Sequence, residues 1–200
     1  MTEPRLVLAS SSPRRREILG RLTDSFTVTA ADLDETPRPN EGAIAYVVRL
    51  AEEKAHAVAS PGSVVIGADT SVVLDGEILG KPVDRADAAA TLRRLAGRRH
   101  EVVTGVAIVI VEPDGTRSTI SGHERSGVDV AELTDATIQW YIDTGEADDK
   151  AGSYGLQGAG GLFADHVHGS VSNVIGLPMQ RLHELCVAVG VDLLTPGPAE

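Results

Sequence analysis

The segment from Ser10 to Arg16 holds the first residue types that could do chemistry, hydroxyls followed by guanidinium groups. Ser12-Pro13 predicts a helix start, because serine caps helices and proline suits their first turn. Acidic residues are favoured in that turn, whereas three arginines follow here, which costs helix stability. An anion bound at the helix start would offset this cost, and the serine hydroxyls and free N–H groups would help to hold it. An exposed basic turn with salt bridges elsewhere explains the pattern equally well.

Asp69 is a second candidate, in the sequence Gly67-Ala68-Asp69-Thr70. We expect the apolar strand Ser63–Ile66 to lead into it, which places the carboxylate at a sheet edge where α/β proteins bind ligands. The small residues before it would let a ligand approach closely. An aspartate that only caps a turn at the end of a strand would give the same pattern, so both interpretations stay open.

Acidic residues also cluster at Asp32, Asp34 and Glu35. Carboxylate oxygens are the ligands that Mg²⁺ prefers, and one or two of them often act together with substrate phosphates. Glu35 and Asp69 could form such a pair if the fold brings them together. The alternative is an exposed acidic loop.

Lys81, in Gly80-Lys81-Pro82, follows a hairpin that we predict at Asp75-Gly76. A lysine held by a proline in this position could reach a phosphate as a point charge. A solvated surface lysine would look the same in the sequence.

The segment from Lys150 to Gly158 opens the most glycine-rich part of the chain, with five glycines between residues 152 and 161. Glycine allows positive φ angles and lets the backbone approach a ligand closely. A flexible surface loop is the alternative. Tyr154 and Gln157 among the glycines favour a functional loop, because flexibility alone does not need them.

The elements that must position these residues alternate between strands and helices. We predict an N-terminal strand over Arg5–Ser10, a hairpin of Val102–Val111 with Thr116–Val130, and two short strands within Phe163–Ile175. Helices are predicted from Ser12 to about Leu22, from Asn40 to about Ser60, over Asp84–Ala96, over Thr134–Thr144 and over Pro178–Val189. This order predicts an α/β fold with a mixed sheet.

The composition excludes several classes of protein. The chain has 200 residues, 42% hydrophobic and 24% charged, which suits one large domain or two lobes and not a disordered chain. A net charge of −11 repels nucleic acid, and 3% aromatic residues leave little for base stacking. The chain lacks an apolar run of membrane-spanning length, and its single cysteine suits a reducing compartment. We therefore expect a cytoplasmic protein with no nucleic-acid or membrane partner.

These motifs, with one more near the C-terminus, occur in a fixed order along the chain. They are Leu8-Ala9-Ser10-x-Ser12-Pro13-Arg14-Arg15, Gly67-Ala68-Asp69-Thr70, Lys81-Pro82, Lys150-Ala151-Gly152-x-Tyr154-Gly155-x-Gln157-Gly158 and Val174-Ile175-Gly176-Leu177-Pro178. Together, over about residues 5–190, they resemble the Maf family of nucleoside triphosphate pyrophosphatases. The resemblance implies one Maf/ITPase-like α/β domain over residues 1–200. Its elongated mixed β-sheet would carry flanking helices and form two lobes around a central cleft, and the chain would form a homodimer.

The same resemblance implies a role for individual residues. Asp69 matches the catalytic aspartate, which also binds the metal together with Glu35. The phosphate-binding positions correspond to Ser10, Arg14, Arg15, Lys54 and Lys81. Substrate choice is assigned to Arg15, Thr70 and Gln157 in the dTTP/UTP branch, whereas the branch that acts on 7-methyl-GTP tends to have Trp-Arg after Ser-Pro.

The expected function is therefore hydrolysis of the α–β phosphoanhydride bond of nucleoside triphosphates, with Mg²⁺ or Mn²⁺ as cofactor. dTTP and UTP are the expected substrates, and modified nucleotides are compatible with the same residues. Whether Asp69 ligates the metal or takes the proton of the attacking water stays open. The alternative function is a nucleotide-sensing regulator of cell division and septum formation, in which catalysis is secondary.

Overall fold

The computed structural model describes residues 5–194, which divide into two compact units. The first unit comprises residues 5–69, 104–124 and 176–194. The second comprises residues 70–103 and 125–175.

The first unit is built around a parallel strand pair and a long helix. Strand β1 (Arg5–Ala9) leads into helix α1 (Pro13–Leu19), and the short β2 (Thr27–Val28) precedes helix α2 (Ala43–Val58). β1 pairs in parallel with β2 and with the start of the next strand, where Ala9 lies opposite Gly67. The apolar core of this unit includes Val7, Ala9, Ala55, Val65, Val109 and Val111.

Three long strands contribute residues to both units, namely β3 (Ser63–Leu74), β5 (Arg99–Val111) and β6 (Arg117–Val130). The strands are hydrogen-bonded in the order β2-β1-β3-β5-β6-β7, where β7 is Ala164–His168. A further strand, β4 (Glu77–Leu79), pairs antiparallel with β3. Parallel and antiparallel pairs thus share one sheet, which confirms the predicted α/β fold with a mixed sheet and flanking helices. The two lobes around a cleft stay a prediction.

The second unit packs helices α3 (Arg85–Leu95), α4 (Asp135–Asp143) and α5 (Val171–Ile175) with its strands. Two 3₁₀ turns, Ala151–Ser153 and Ala159–Phe163, interrupt the glycine-rich segment. The core of this unit includes Leu74, Leu92, Val128, Tyr141, Phe163 and neighbouring apolar residues. The last helix, α6 (Met179–Ala188), returns to the first unit.

Capping residues explain most of the helix starts. The side chains of Ser12, Asp84 and Thr134 each accept a hydrogen bond from the backbone N–H three residues later. The cap at Ser12 was predicted, whereas Asp84 and Thr134 were predicted only as the first residues of their helices. The helix predicted from Asn40 begins three residues later, at Ala43, and Asn40 has a φ of 59° in the turn before it. Asparagine tolerates this left-handed conformation better than most residues, so Asn40 indicates the turn before the helix and not the helix start.

One predicted strand boundary and one predicted strand are wrong. β3 does not end at Ile66 but continues to Leu74, because its apolar second half pairs with β4 across the hairpin at Asp75-Gly76. The second strand predicted within Phe163–Ile175 is helix α5, which starts where the Ser170 hydroxyl accepts a hydrogen bond from Asn173 N. The β-branched residues of α5 concealed that cap. Across residues 5–194, no helix is both long and apolar enough to cross a membrane.

Candidate active site

Asp69 and Lys54 form a buried ion pair in the first unit. Each residue is only 7% exposed, and Lys54 Nζ lies 2.6 Å from Asp69 Oδ1. The same Nζ lies 2.7 Å from Oε1 of Glu35. A buried charge is tolerated only when partners compensate for lost hydration, and here one ammonium group serves two carboxylates. The structure thus brings together Asp69, Glu35 and Lys54.

Two glycines explain how α2 comes close enough for this contact. A Cβ atom at Gly67 would lie 2.0 Å from the carbonyl oxygen of Ala51, and one at Gly105 would lie 2.3 Å from that of Val47. The backbone of α2 therefore lies directly on β3 and β5. Gly67 and Asp69 are two residues apart on a strand, so the carboxylate faces the helix that carries Lys54.

Asp69 lies in the middle of β3 and not at the strand end that the sequence suggested. It is β1 that ends here, because Ala9, its last residue, is opposite Gly67. The carboxyl end of a parallel strand is therefore next to Asp69 after all, although the strand that stops is the neighbouring one. Ser10 follows directly and is buried.

Ser10, Ser12 and Arg15 form a hydrogen-bonded group at the start of α1. Ser10 Oγ accepts from the backbone N–H of Ser12 at 3.2 Å and from Nη1 of Arg15 at 3.3 Å. Arg15 Nε donates to the carbonyl oxygen of Gly176 at 2.8 Å. Burial lowers the pKa of Arg15, while the nearby carboxylates of Asp69 and Glu35 oppose this shift. Arg15 thus belongs to the same charged cluster as the ion pair.

Arg14 differs from its neighbour in its contacts. Its side chain is half-buried, and it makes no hydrogen bond or ion pair with any other described residue. The serine hydroxyls proposed as anion ligands from the sequence already accept N–H groups of the chain itself. Those hydroxyls can still donate their O–H to an anion, and the Arg14 guanidinium is available to bind the same anion.

The remaining predicted residues, Thr70, Lys81 and Gln157, belong to the second unit. Thr70 follows Asp69 in β3, Lys81 is exposed, and Gln157 is half-buried. The segments that carry Lys81 and Gln157 are joined by a hydrogen bond from Gly152 N to Gly80 O at 3.1 Å. A Cβ at Gly152, where φ is +70°, would meet Val72 at 2.9 Å, so the glycine lets this loop lie against β3.

Tyr154 has a structural explanation in the same loop. It is 6% exposed, and its hydroxyl lies 2.8 Å from Nε2 of His100. Burial raises the pKa of Tyr154 and lowers that of His100, so both side chains favour the neutral form. The tyrosine that suggested a functional loop therefore belongs to the core of the second unit.

The donor set at Asp69 and Glu35 fits a hard divalent cation only in part. Two carboxylates that touch one ammonium group are close enough to share a cation, and oxygen ligands suit Mg²⁺ and Mn²⁺. Among residues 5–194, no group of three or more His, Cys, Asp or Glu side chains is arranged to hold a metal ion. A metal at this position would therefore need further oxygen ligands, which substrate phosphates can supply.

Sequence analysis missed two residues that contact the segment of Glu35. Tyr46 Oη donates to the carbonyl oxygen of Glu35 at 2.8 Å, and Arg49 Nη2 donates to that of Thr36 at 3.4 Å. Tyr46 and Lys54 are eight residues apart, so they lie on one face of α2. This spacing is visible in the sequence, but it does not show that the backbone of Glu35 lies against this face of α2.

The chain is similar to known proteins over most of its length. A family model described as "Maf-like protein" matches residues 5–189. A "dTTP/UTP pyrophosphatase" of Anaeromyxobacter dehalogenans (strain 2CP-C) is 51% identical, with 95% of this chain and 96% of the relative covered. Proteins of the same name from Myxococcus xanthus (strain DK1622) and Hahella chejuensis (strain KCTC 2396) are 49% and 51% identical, with 94% of both chains covered in each case. A solved HAM1 protein from Coxiella burnetii shows a partial likeness, with a TM-score of 0.45, 15% identity and 65% of this chain and 74% of that chain covered.

Proposed function

The chain belongs to the Maf family, and we propose that it is a nucleoside triphosphate pyrophosphatase that hydrolyses dTTP and UTP. Water attacks the α phosphorus, the bond to the bridging oxygen between the α and β phosphates breaks, and a monophosphate and pyrophosphate leave. The observation that carries this proposal is about 50% identity, over nearly the whole length, to proteins named for this activity. The buried Asp69–Lys54 pair supplies a reactive centre consistent with it.

The cationic groups of the cluster suit the polyphosphate. Arg14 has no competing partner in the described chain and can hold phosphate oxygens through charge-assisted hydrogen bonds. Arg15 is held by Ser10 and the Gly176 carbonyl, so its planar guanidinium is already oriented before substrate binds. Lys81 is an exposed ammonium group that we assign to the same phosphates.

Asp69 is the residue that we assign to the reacting water. One of its carboxylate oxygens is held by Lys54 at 2.6 Å, which fixes the orientation of the group. The other oxygen can accept the proton of water as general base or ligate a cation. Lys54 acts as a positioning group for Asp69 and Glu35, and on substrate binding it can also turn toward a phosphate.

Mg²⁺ or Mn²⁺ bound by Asp69 and Glu35 would neutralise charge that develops on the phosphates. The residues of this chain supply the rest of the proposal. Glu35, with its side chain 44% exposed, can leave Lys54 for a cation without opening the core.

Base selection is proposed for Arg15, Thr70 and Gln157. Gln157 carries an amide with both a donor and an acceptor, which can match the edge of uracil or thymine. Sites that use hydrogen bonds reject the wrong base more strongly than apolar pockets do. A cytoplasmic homodimer is part of the same proposal, whereas the regulator of cell division has no support in the names of the relatives.

A panel of dTTP, UTP, CTP, GTP and 7-methyl-GTP with Mg²⁺ tests the proposal. We expect dTTP and UTP to have the highest kcat/KM. Removal of the metal with a chelator should abolish turnover, and added Mn²⁺ should restore it. A preference for 7-methyl-GTP, or binding of nucleotides without turnover, would contradict the proposed activity.

A further inference from the structure

Glu35 lies in a segment that has no regular secondary structure. Residues 29–42 contain only a turn at 39–40, and most of them are exposed. Such a segment samples many conformations unless specific contacts order it. Glu35 nevertheless places a carboxylate oxygen 2.7 Å from the buried Lys54. A local hydrogen bond from Thr36 N to Asp34 Oδ1, at 2.9 Å, orders part of the segment, and contacts with other elements must supply the rest.

Two side chains of α2 supply these contacts. Tyr46 Oη donates to the carbonyl oxygen of Glu35, and Arg49 Nη2 donates to that of Thr36, the next residue. The two donors are three residues apart, so they are neighbours on the helix surface. The Arg49 guanidinium also lies over the Tyr46 ring, 5.5 Å from its centroid.

Two glutamates fix the orientation of the Arg49 side chain. Its Nε and Nη2 donate to the two carboxylate oxygens of Glu41 at 2.6 and 2.7 Å, and Nη1 donates to Glu53 at 3.0 Å. Glu41 connects Arg49 to the backbone of the segment, because its carboxylate also accepts a hydrogen bond from the backbone N–H of Arg38 at 2.9 Å. The bidentate geometry needs the planar fork of arginine, which a lysine does not offer.

Tyr46 and Lys54 contact different parts of Glu35. Tyr46 and Lys54 lie on the same face of α2, about 12 Å apart along the helix axis, and helix side chains tilt toward the N-terminus. Tyr46 thus holds the backbone of Glu35 while Lys54 holds its carboxylate.

We propose that Tyr46 and Arg49 are positioning residues that hold the backbone of Glu35 and Thr36, so that the Glu35 carboxylate stays beside Asp69 and Lys54. They act through Glu35. The catalytic consequence rests on the proposed function, whereas the ordering of residues 29–42 does not.

Tyr46→Phe tests the proposal because it removes one hydroxyl and keeps the ring over Arg49. We expect the Mg²⁺ concentration for half-maximal UTP hydrolysis to rise about 3- to 10-fold, the range for loss of one neutral hydrogen bond. In a Glu35→Gln background, the same change should have less than about a twofold effect, because the group that it positions is gone. Losses that simply multiply in the double variant would overturn the positioning role.

Hydrogen exchange in the protein without metal or nucleotide gives a second readout. Peptides covering residues 29–42 should exchange about 3- to 10-fold faster in Tyr46→Phe, and at least as fast in Arg49→Lys. Peptides from β3 should stay unchanged. Thr119→Val is the matched control, since it removes a hydroxyl bonded to His56 of the same helix, and it should alter neither readout.

The two readouts separate the failure of the two proposals. If the wild-type protein hydrolyses neither UTP nor dTTP, the proposed function fails, and the exchange rates still decide the structural role. If exchange of residues 29–42 is unchanged in both variants, Tyr46 and Arg49 do not hold the segment, whatever the activity shows.

Discussion

The two partners of the buried Lys54–Asp69 ion pair are not equivalent. We therefore predict that substitutions at the two positions lower the free energy of unfolding by different amounts. Lys54 contacts two carboxylates, whereas Asp69 has one ammonium group within ion-pair distance. Lys54→Met leaves a carboxylate that is 7% exposed without that ammonium group. Asp69→Asn leaves Lys54 with Glu35.

The structure sets the expected magnitudes. Removal of one partner from a buried ion pair costs about 3–5 kcal/mol when the other charge is left uncompensated. Lys54→Met should fall at the lower end of that range, because the charge of Arg15 still acts on Asp69. Asp69→Asn removes one charged hydrogen bond and keeps another, so we expect a loss of about 1.5–3 kcal/mol. The double variant should be more stable than the two losses together predict, because it buries no unpaired aspartate.

Chemical denaturation at pH 7 measures all three variants. We expect the unfolding free energy to fall more in Lys54→Met than in Asp69→Asn, with a coupling energy of about 1.5 kcal/mol or more in the double-mutant cycle. Glu77→Gln is a suitable control, because it breaks the exposed ion pair with Arg94 and should cost less than about 1 kcal/mol. Additive losses, or a larger loss for Asp69→Asn, would refute the assignment of the pair as buried and coupled.

Further predictions concern packing, base choice and acid stability. Gly67→Ala should cost about 1–3 kcal/mol or more in thermal unfolding and lower activity, because its Cβ would lie 2.0 Å from the Ala51 carbonyl oxygen, whereas Gly80→Ala, with nothing within 4 Å, should have little effect on stability. Gln157→Ala should lower the ratio of UTP to GTP activity about tenfold or more, and an unchanged ratio would show that it does not contact the base. Hydrogen bonding to Arg49 lowers the pKa of Glu41 from 4.5 to about 2, so its contribution to stability is present above pH 4.5 and is lost as the pH falls toward 2. Glu41→Gln should flatten that part of the stability–pH curve, and an identical curve would contradict the contact.

Most helices and strands could be predicted from the sequence, because caps and turns depend on residues that are close together in the chain. Ser12, Asp84 and Thr134 cap their helices through the N–H three residues later, and Asp75-Gly76 turns a hairpin. Helix α5 was missed because Ser170 caps it within a β-branched sequence. A short-range signal was present there, but the propensity of its neighbours concealed it.

The contacts of the candidate site were less accessible from the sequence. In the sequence only the family resemblance points to Lys54, and the close packing of α2 on Gly67 shows why it contacts Asp69. The sequence contained the glycine but gave no information on which backbone approaches it. The role of Tyr46 depends on a hydrogen bond to a backbone carbonyl. Every residue type has such a carbonyl, so the sequence does not show which residue accepts the bond.

The identity of the first products formed from UTP tests the central claim most directly. The protein with Mg²⁺ should convert UTP to UMP and pyrophosphate in a single step, as separated by ion-exchange chromatography at early times. Asp69→Asn, measured in parallel and shown to be folded, should be slower by at least ~10²-fold, in the range of a positioned acid–base group. UDP and orthophosphate as the first products would contradict the account, as would an Asp69→Asn variant with the wild-type rate.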